Sequence, residues 1–154
     1  SCIGNRLLIL DNIQDPGNLG TIIRSSMAFN IDTIVVSPDT VDMYNSKVLR
    51  STEGMIFHIN IIVRELSSFI EKIKEDGYVI YGTKVDGGVN VKDIGIDKKY
   101  ALVIGNEGRG VSDIISRLCD KYLYIKMNSE VESLNVAVAT SILLYEMDDK
   151  YDFN

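Results

Sequence analysis

The stretch RLLILDNIQDPGNLGTIIRSS, Arg6 to Ser26, decides how the rest of the chain is read. Arg6–Leu10 is a short apolar run, too short for a buried helix and suited to a strand covered on both faces. Asp15-Pro16-Gly17-Asn18 then turns the chain. From Asn18 onward Leu19, Ile22, Ile23, Ser26 and Met27 recur at helical spacing, with Asn18 as the expected N-cap. An ordinary strand–helix junction needs only the turn, so Gly20 and Arg24 call for a reason. Gly20 in the first helical turn costs up to about 1 kcal/mol relative to Ala. Arg24 follows one turn later on the same face. A bare patch of backbone beside a permanent cation and a helix N-terminus is suited to an anionic ligand.

Working outward, Thr33–Ser37 reads as a second strand closed by Pro38, and NSKVLRSTEG as a short helix ending near Gly54. MIFHINIIV is β-prone, ELSSFIEKIKEDG is an amphipathic helix stopped by Gly77, and YVIYGT is a strand. YALVIG (Tyr100–Gly105) is strongly apolar. A short helix, SDIISRLC, a strand, KYLYIKM, and a helix from about Leu134 to Met147 complete the pattern. Strands alternating with helices predict an α/β fold, a mostly parallel sheet flanked by helices. The last helix is apolar around most of its circumference, which predicts burial on several sides or in the interface of a homodimer.

The 154 residues, 45% hydrophobic and 25% charged, suit one α/β domain with a real core. No run approaches the roughly 18 apolar residues of a membrane span, and no signal peptide opens the chain. Two cysteines, Cys2 and Cys119, form no motif and point to the reducing cytoplasm. The net charge of −6 speaks against a general nucleic-acid binder. It leaves room for a local basic patch, and much of the acidity sits in the C-terminal EMDDKYD, a solvated face. No metal-ligand cluster is present, and His58, the single histidine, reads as structural.

Two further segments carry chemistry. LVIGNEGRGVS, Leu102–Ser112, puts a donor-rich loop at the carboxyl end of a buried strand, where open α/β sheets bind ligands. It has neither the G-x-G-x-x-G order of dinucleotide sites nor a P-loop Gly-Lys-Ser/Thr. Glu107, between glycines, can hold a hydroxyl, a cation or Arg109. In IKMNSEVESLNVAVA, Ile125–Ala139, Ser133-Leu134-Asn135 opens the final helix, where Ser or Asn serves as a cap.

Together, in this order, these segments resemble the SpoU (TrmH) family of RNA ribose 2′-O-methyltransferases within the SPOUT superfamily. The first motif is similar to Asp15–Gly20 followed by Arg24, the second to Gly105–Gly110, and the third to Ile125–Met127 with Ser133–Val136. SKVLRSTEGMIFHI also resembles the family's segment after the second strand, so the likeness spans nearly the whole chain. The resemblance implies a C-terminal deep trefoil knot, S-adenosylmethionine as cofactor, RNA (rRNA or tRNA) as substrate, and a homodimer. It implies a cofactor site at Thr83, Gly105, Asn106, Glu107, Gly108, Ile125, Met127, Ser133 and Leu134. It assigns Arg24 to the attacking ribose, with Asn18, Glu107, Ser133 and Asn135 orienting Arg24 and substrate.

Guanidinium groups hold their proton throughout the physiological range, so an electrostatic role suits Arg24 better than that of a base. The hydroxyl proton would leave to water, Glu107 or an RNA phosphate. Lys47, Arg50, Arg109 and Arg117, with Arg24, are the residues that could form an RNA patch. Where the family has proline this chain has Lys126, which implies a looser strand end and puts cofactor affinity in question. Many relatives carry an N-terminal RNA-binding domain, and the Ser1 start suggests a catalytic domain cut from such a chain or a minimal enzyme. A catalytically silent module of the same fold is the alternative, and a nucleotide-dependent oxidoreductase ranks third.

Overall fold

The computed structural model describes residues 3–84 and 87–151. Cys2, and Asp152 of the acidic C-terminal stretch, lie outside them. The described strands form one parallel sheet, from β1 (Arg6–Asp11), β2 (Thr33–Val36), β3 (Asn60–Val63), β4 (Val79–Thr83), β5 (Val89–Asn90), β6 (Tyr100–Gly105) and β7 (Lys121–Tyr124). Their order across the sheet is β3-β2-β1-β6-β4-β7-β5. Among the described residues four α-helices lie between strands, α1 (Pro16–Ala28), α2 (Ser46–Thr52), α3 (Leu66–Glu75) and α4 (Asp113–Leu118), and α5 (Val136–Lys150) follows β7.

The core has two layers because successive strand side chains point to opposite faces. Leu8 and Leu10 of β1 pack with Ile34, Leu102 and Ile104 beneath α1, α2 and α5. Leu7 and Ile9 pack with Val35, Ala101 and Val103 beneath α3 and α4. Both faces of β1 and β6 are therefore buried, which explains their unbroken apolar runs. Arg6 begins β1, and its buried guanidinium donates to the Asp148 carboxylate of α5 at 2.6 Å and to the Phe29 carbonyl at 3.1 Å.

Several expectations are corrected. Helix α1 starts at Pro16, and its N-cap is Asp15, whose carboxylate accepts the Asn18 N–H at 3.0 Å. Asn18 sits inside the first turn, which frees its amide for other work. Met55–His58 is a 3₁₀ turn, and only Asn60–Val63 of the β-prone stretch pairs in the sheet. Strand β7 stops at Tyr124, leaving Ile125–Met127 as loop, and α5 begins at Val136 with Asn135 as its cap. Short β5, absent from the sequence reading, adds an edge beside β7. Helix α5 is buried through Ala137, Leu143, Leu144 and Met147, but Val138, Ile142 and Tyr145 face outward.

Candidate functional site

The carboxyl ends of β1, β6, β4 and β7 carry loops that meet over one side of the sheet. Between them lies a cavity of about 370 Å³, within the range of small-molecule sites. Its walls are apolar, from Ile104, Leu123, Ile125, Leu134, Val136 and Leu143. Its polar rim comes from Thr83 at the end of β4 and Lys84 after it, the 106–110 loop after β6, and Glu132 and Ser133 before α5. Of the cofactor residues expected from the sequence, Thr83, Gly105, Asn106, Glu107, Gly108, Ile125, Met127, Ser133 and Leu134 all line it.

The loop after β6 is held by its own backbone. Asn106 and Gly110 exchange N–H···O bonds at 2.9 and 3.0 Å. The Asn106 side chain accepts the N–H groups of Gly108 and Arg109 and donates to the Asn12 carbonyl at 2.9 Å. A Cβ on Gly105 would stand 2.1 Å from the Gly110 carbonyl carbon and the Val111 nitrogen. Only glycine lets the loop fold back here.

Glu107 does not reach Arg109. Its carboxylate accepts the backbone N–H of Asp15 at 2.7 Å and that of Gln14 at 3.1 Å, and the Asn18 amide N–H at 3.4 Å. Partial desolvation pushes its pKa up. The N–H groups of Asp15, its own backbone and Gln14, with the Asn18 amide, outweigh that and hold the carboxyl below its ordinary 4.5.

A carboxylate only accepts, so Asn18 presents its NH₂ to Glu107 and its oxygen away. That oxygen accepts from the Asn135 amide at 3.1 Å. Asn135 in turn uses its own oxygen to cap α5, accepting the N–H groups of Ala137 and Val138 at 2.8 and 3.1 Å. The three side chains form a relay of one polarity that joins the loop after β6, the start of α1 and the start of α5.

Arg24 stands apart from this cavity. Half-exposed, it lines a shallow groove with Thr21, Met27, Phe29, Met55 and Ser141, 3.7 Å from the Glu53 carboxylate. The ligand-room reading of Gly20 is corrected too. A Cβ there would lie 2.2 Å from the Ser51 Cβ, so the bare backbone lets α2 pack tightly on α1. Lys47 and Arg50 are exposed on α2, and Arg109 at the cavity rim. Arg117 is on α4, beneath the opposite face of the sheet, and does not join them. Lys126 is exposed while its neighbours Ile125 and Met127 face the cavity.

Sequence reasoning passed over Lys84, whose ammonium sits 3.7 Å over the Tyr122 ring at the cavity edge, and Gln14, whose N–H anchors Glu107. The position of Gln14 in the turn before Asp15 was the available signal. Among the described residues no cluster of three His, Cys, Asp or Glu side chains could hold a metal ion. No helix of the described residues is long and apolar enough to cross a membrane.

A relative from Bacillus subtilis (strain 168), the 23S rRNA (guanosine(2553)-2′-O)-methyltransferase RlmP, is 41% identical over 142 residues, covering 92% of this chain and 57% of that protein. The chain thus spans somewhat over half the length of the curated relatives it matches. An AdoMet-bound rRNA methyltransferase from Sinorhizobium meliloti superposes with a TM-score of 0.89 at 32% identity, over 95% of this chain and 56% of that one. The SpoU methyltransferase AviRb from Streptomyces viridochromogenes, in complex with AdoMet, gives 0.88 at 29% identity, over 96% and 61%. Residues 5–145 match the SpoU rRNA Methylase family, and the chain belongs to it.

Proposed function

We propose that this chain transfers a methyl group from S-adenosylmethionine to a ribose 2′-hydroxyl of RNA, ribosomal or transfer, in the cytoplasm. The observation that carries the reading is the cavity at the strand ends with the Glu107–Asn18–Asn135 relay at its edge. The cavity suits the cofactor: apolar walls for an adenine, and backbone donors and acceptors of the 106–110 loop for its polar groups. Two of the solved relatives hold AdoMet. Bound there, the cofactor supplies an electrophilic methyl carbon and its own leaving group.

The protein's work is then to position and to stabilise charge. The relay fixes the first turn of α1 against the cofactor loop. Arg24, two helical turns after Asn18's neighbours Gly17 and Pro16, offers a cation for an RNA phosphate and the developing alkoxide. Both Glu107 oxygens already accept N–H bonds and its carboxyl is held acidic, so water or a phosphate suits the hydroxyl proton better than Glu107.

Arg24 does not line its own chain's cavity. A homodimer joined through the α1 and α5 face accommodates this, because a second copy's Arg24 can then serve the cavity. Supporting it, Val138, Ile142 and Tyr145 form an exposed apolar stripe at i, i+4, i+7 beside the Arg24 groove. Family membership also supports threading of the C-terminal part as a deep trefoil knot. Nothing favours a catalytically silent module, since Asn18, Arg24, Glu107, Ser133 and Asn135 are all present.

The test is Arg24→Ala, followed by calorimetry with S-adenosylmethionine and by methyl transfer to ribosomal and transfer RNA. Cofactor binding should persist and transfer should fall by about 100-fold or more, the loss typical of a charge-stabilising donor. Unchanged transfer would overturn the role given to Arg24. A wild-type chain that fails to bind the cofactor would overturn the function.

A further inference from the structure

We propose that Tyr44 is a stacking platform for a base of the RNA strand flanking the methylated ribose, with Lys47 and Arg50 holding that strand's phosphates. This deepens the RNA-methyltransferase reading and rests on it. Tyr44 is 61% exposed, and among the described residues its ring and hydroxyl have no partner. An isolated exposed tyrosine is ordinary. This one stands just beyond a segment that hydrogen bonds join to the site.

The segment after β2 is tied to the turn after β1 by at least five hydrogen bonds. The Asn12 N–H donates to the Ser37 hydroxyl at 2.9 Å, and the Val41 N–H to the Ile13 carbonyl at 2.8 Å. The Ile13 N–H donates to the Thr40 hydroxyl at 3.3 Å, and the Gln14 amide to the Asp39 carbonyl. Gln14 is also a donor to Glu107. The cofactor loop, the turn before α1 and the segment carrying Tyr44 are therefore one connected body. The Tyr44 N–H is fixed on the Asp42 carboxylate at 2.9 Å, and Asn45 caps α2 immediately afterwards. Stacking then has to order one side chain and not the loop beneath it.

The charges around it fit the same partner. Lys47 and Arg50, three apart on α2, are exposed. Of the nearby carboxylates, Asp39 accepts the Asn12 amide at 3.0 Å and Asp42 the Tyr44 N–H, so both point back into the segment rather than toward Lys47 or Arg50 in an ion pair, and Glu53 lies 3.7 Å from Arg24. In a chain of net charge −6, an exposed aromatic ring beside two cations that form no ion pair among the described residues is a local feature that suits a single-stranded nucleic acid.

The chain contains no tryptophan, so Tyr44→Trp makes a single-tryptophan protein whose fluorescence reports on position 44. Oligoadenylate should quench it, and polyphosphate, which has charge but no bases, should bind without quenching. Tyr44→Ala should weaken oligoadenylate binding about 10-fold or more while S-adenosylmethionine affinity stays unchanged, and Tyr44→Phe should retain binding. Lys47→Gln should lower the salt slope of binding by about one. Wild-type affinity in Tyr44→Ala, or equal quenching by polyphosphate, would overturn the stacking role alone. A wild-type chain that binds cofactor but no oligoadenylate would overturn it as well. A chain that binds neither would take the methyltransferase reading down with it.

Discussion

Glu107 is the residue whose meaning the structure changed most. In a glycine-rich turn it looks like a free carboxylate, available to a ligand or to a proton. In the fold it accepts from two backbone N–H groups and one amide, and works as a clamp between the 106–110 loop and the turn before α1. Glu107→Gln keeps the shape but sets an NH₂ against those donors. A lost charge-assisted bond is worth roughly 1.5–3 kcal/mol, so calorimetry should show S-adenosylmethionine affinity reduced by about 10- to 100-fold. The pH dependence follows from the lowered pKa. The clamp is complete above the unfolded value and is lost only as pH falls through the folded one, below 4.5. The rate profile of the wild type should therefore show no Glu107 limb near neutrality. A limb there that vanished in Glu107→Gln would make it the proton acceptor.

At the scale of elements, the pair α1 and α2 shows what a glycine in a helix can be for. Gly20→Ala gains up to about 1 kcal/mol in helix propensity but forces a methyl against the Ser51 Cβ, and overpacking costs typically about 1–3 kcal/mol. Urea unfolding should show a net loss of stability, and Ser51→Gly in the same protein should recover part of it. From sequence, Gly20 and Arg24 suggested a ligand, because spacing along one helix is visible and the helix packed against it is not. The long apolar strands, the amphipathic α3 and the three site segments were legible for the opposite reason, since their periodicity and turn residues are local. Val89–Asn90 carries too few residues for any period, and MIFH is as apolar in a 3₁₀ turn as in a strand. Gathering of the cavity walls was expected only through the family likeness. The direction of the amide relay needed coordinates, because an asparagine's orientation is set by its partners.

For the whole molecule, the first strand and the last helix are locked together. The Arg6 side chain, 4% exposed, meets the Asp148 carboxylate at 2.6 Å, lies 4.2 Å from the Tyr151 ring and donates to the Tyr100 hydroxyl at 3.4 Å. Removing Arg6 takes the cation from Asp148, which is partly exposed and keeps the Asn30 amide at 3.1 Å, and takes a donor from the Phe29 carbonyl, so Arg6→Ala should cost about 3 kcal/mol in denaturant unfolding, the low end for a buried pair. Because α5 also carries Asn135, the same variant should lower cofactor affinity if α5 loosens as a unit. Strand β1 lies in the interior of the sheet, with Arg6 opposite Tyr100 of β6. During synthesis its β6-facing edge stays bare until more than ninety further residues have left the ribosome. At about 5–20 residues per second that wait is some 5–20 s. An apolar strand open for that long invites pairing with other nascent chains, so yield in cells should depend on chaperones more than the stability of the finished fold implies.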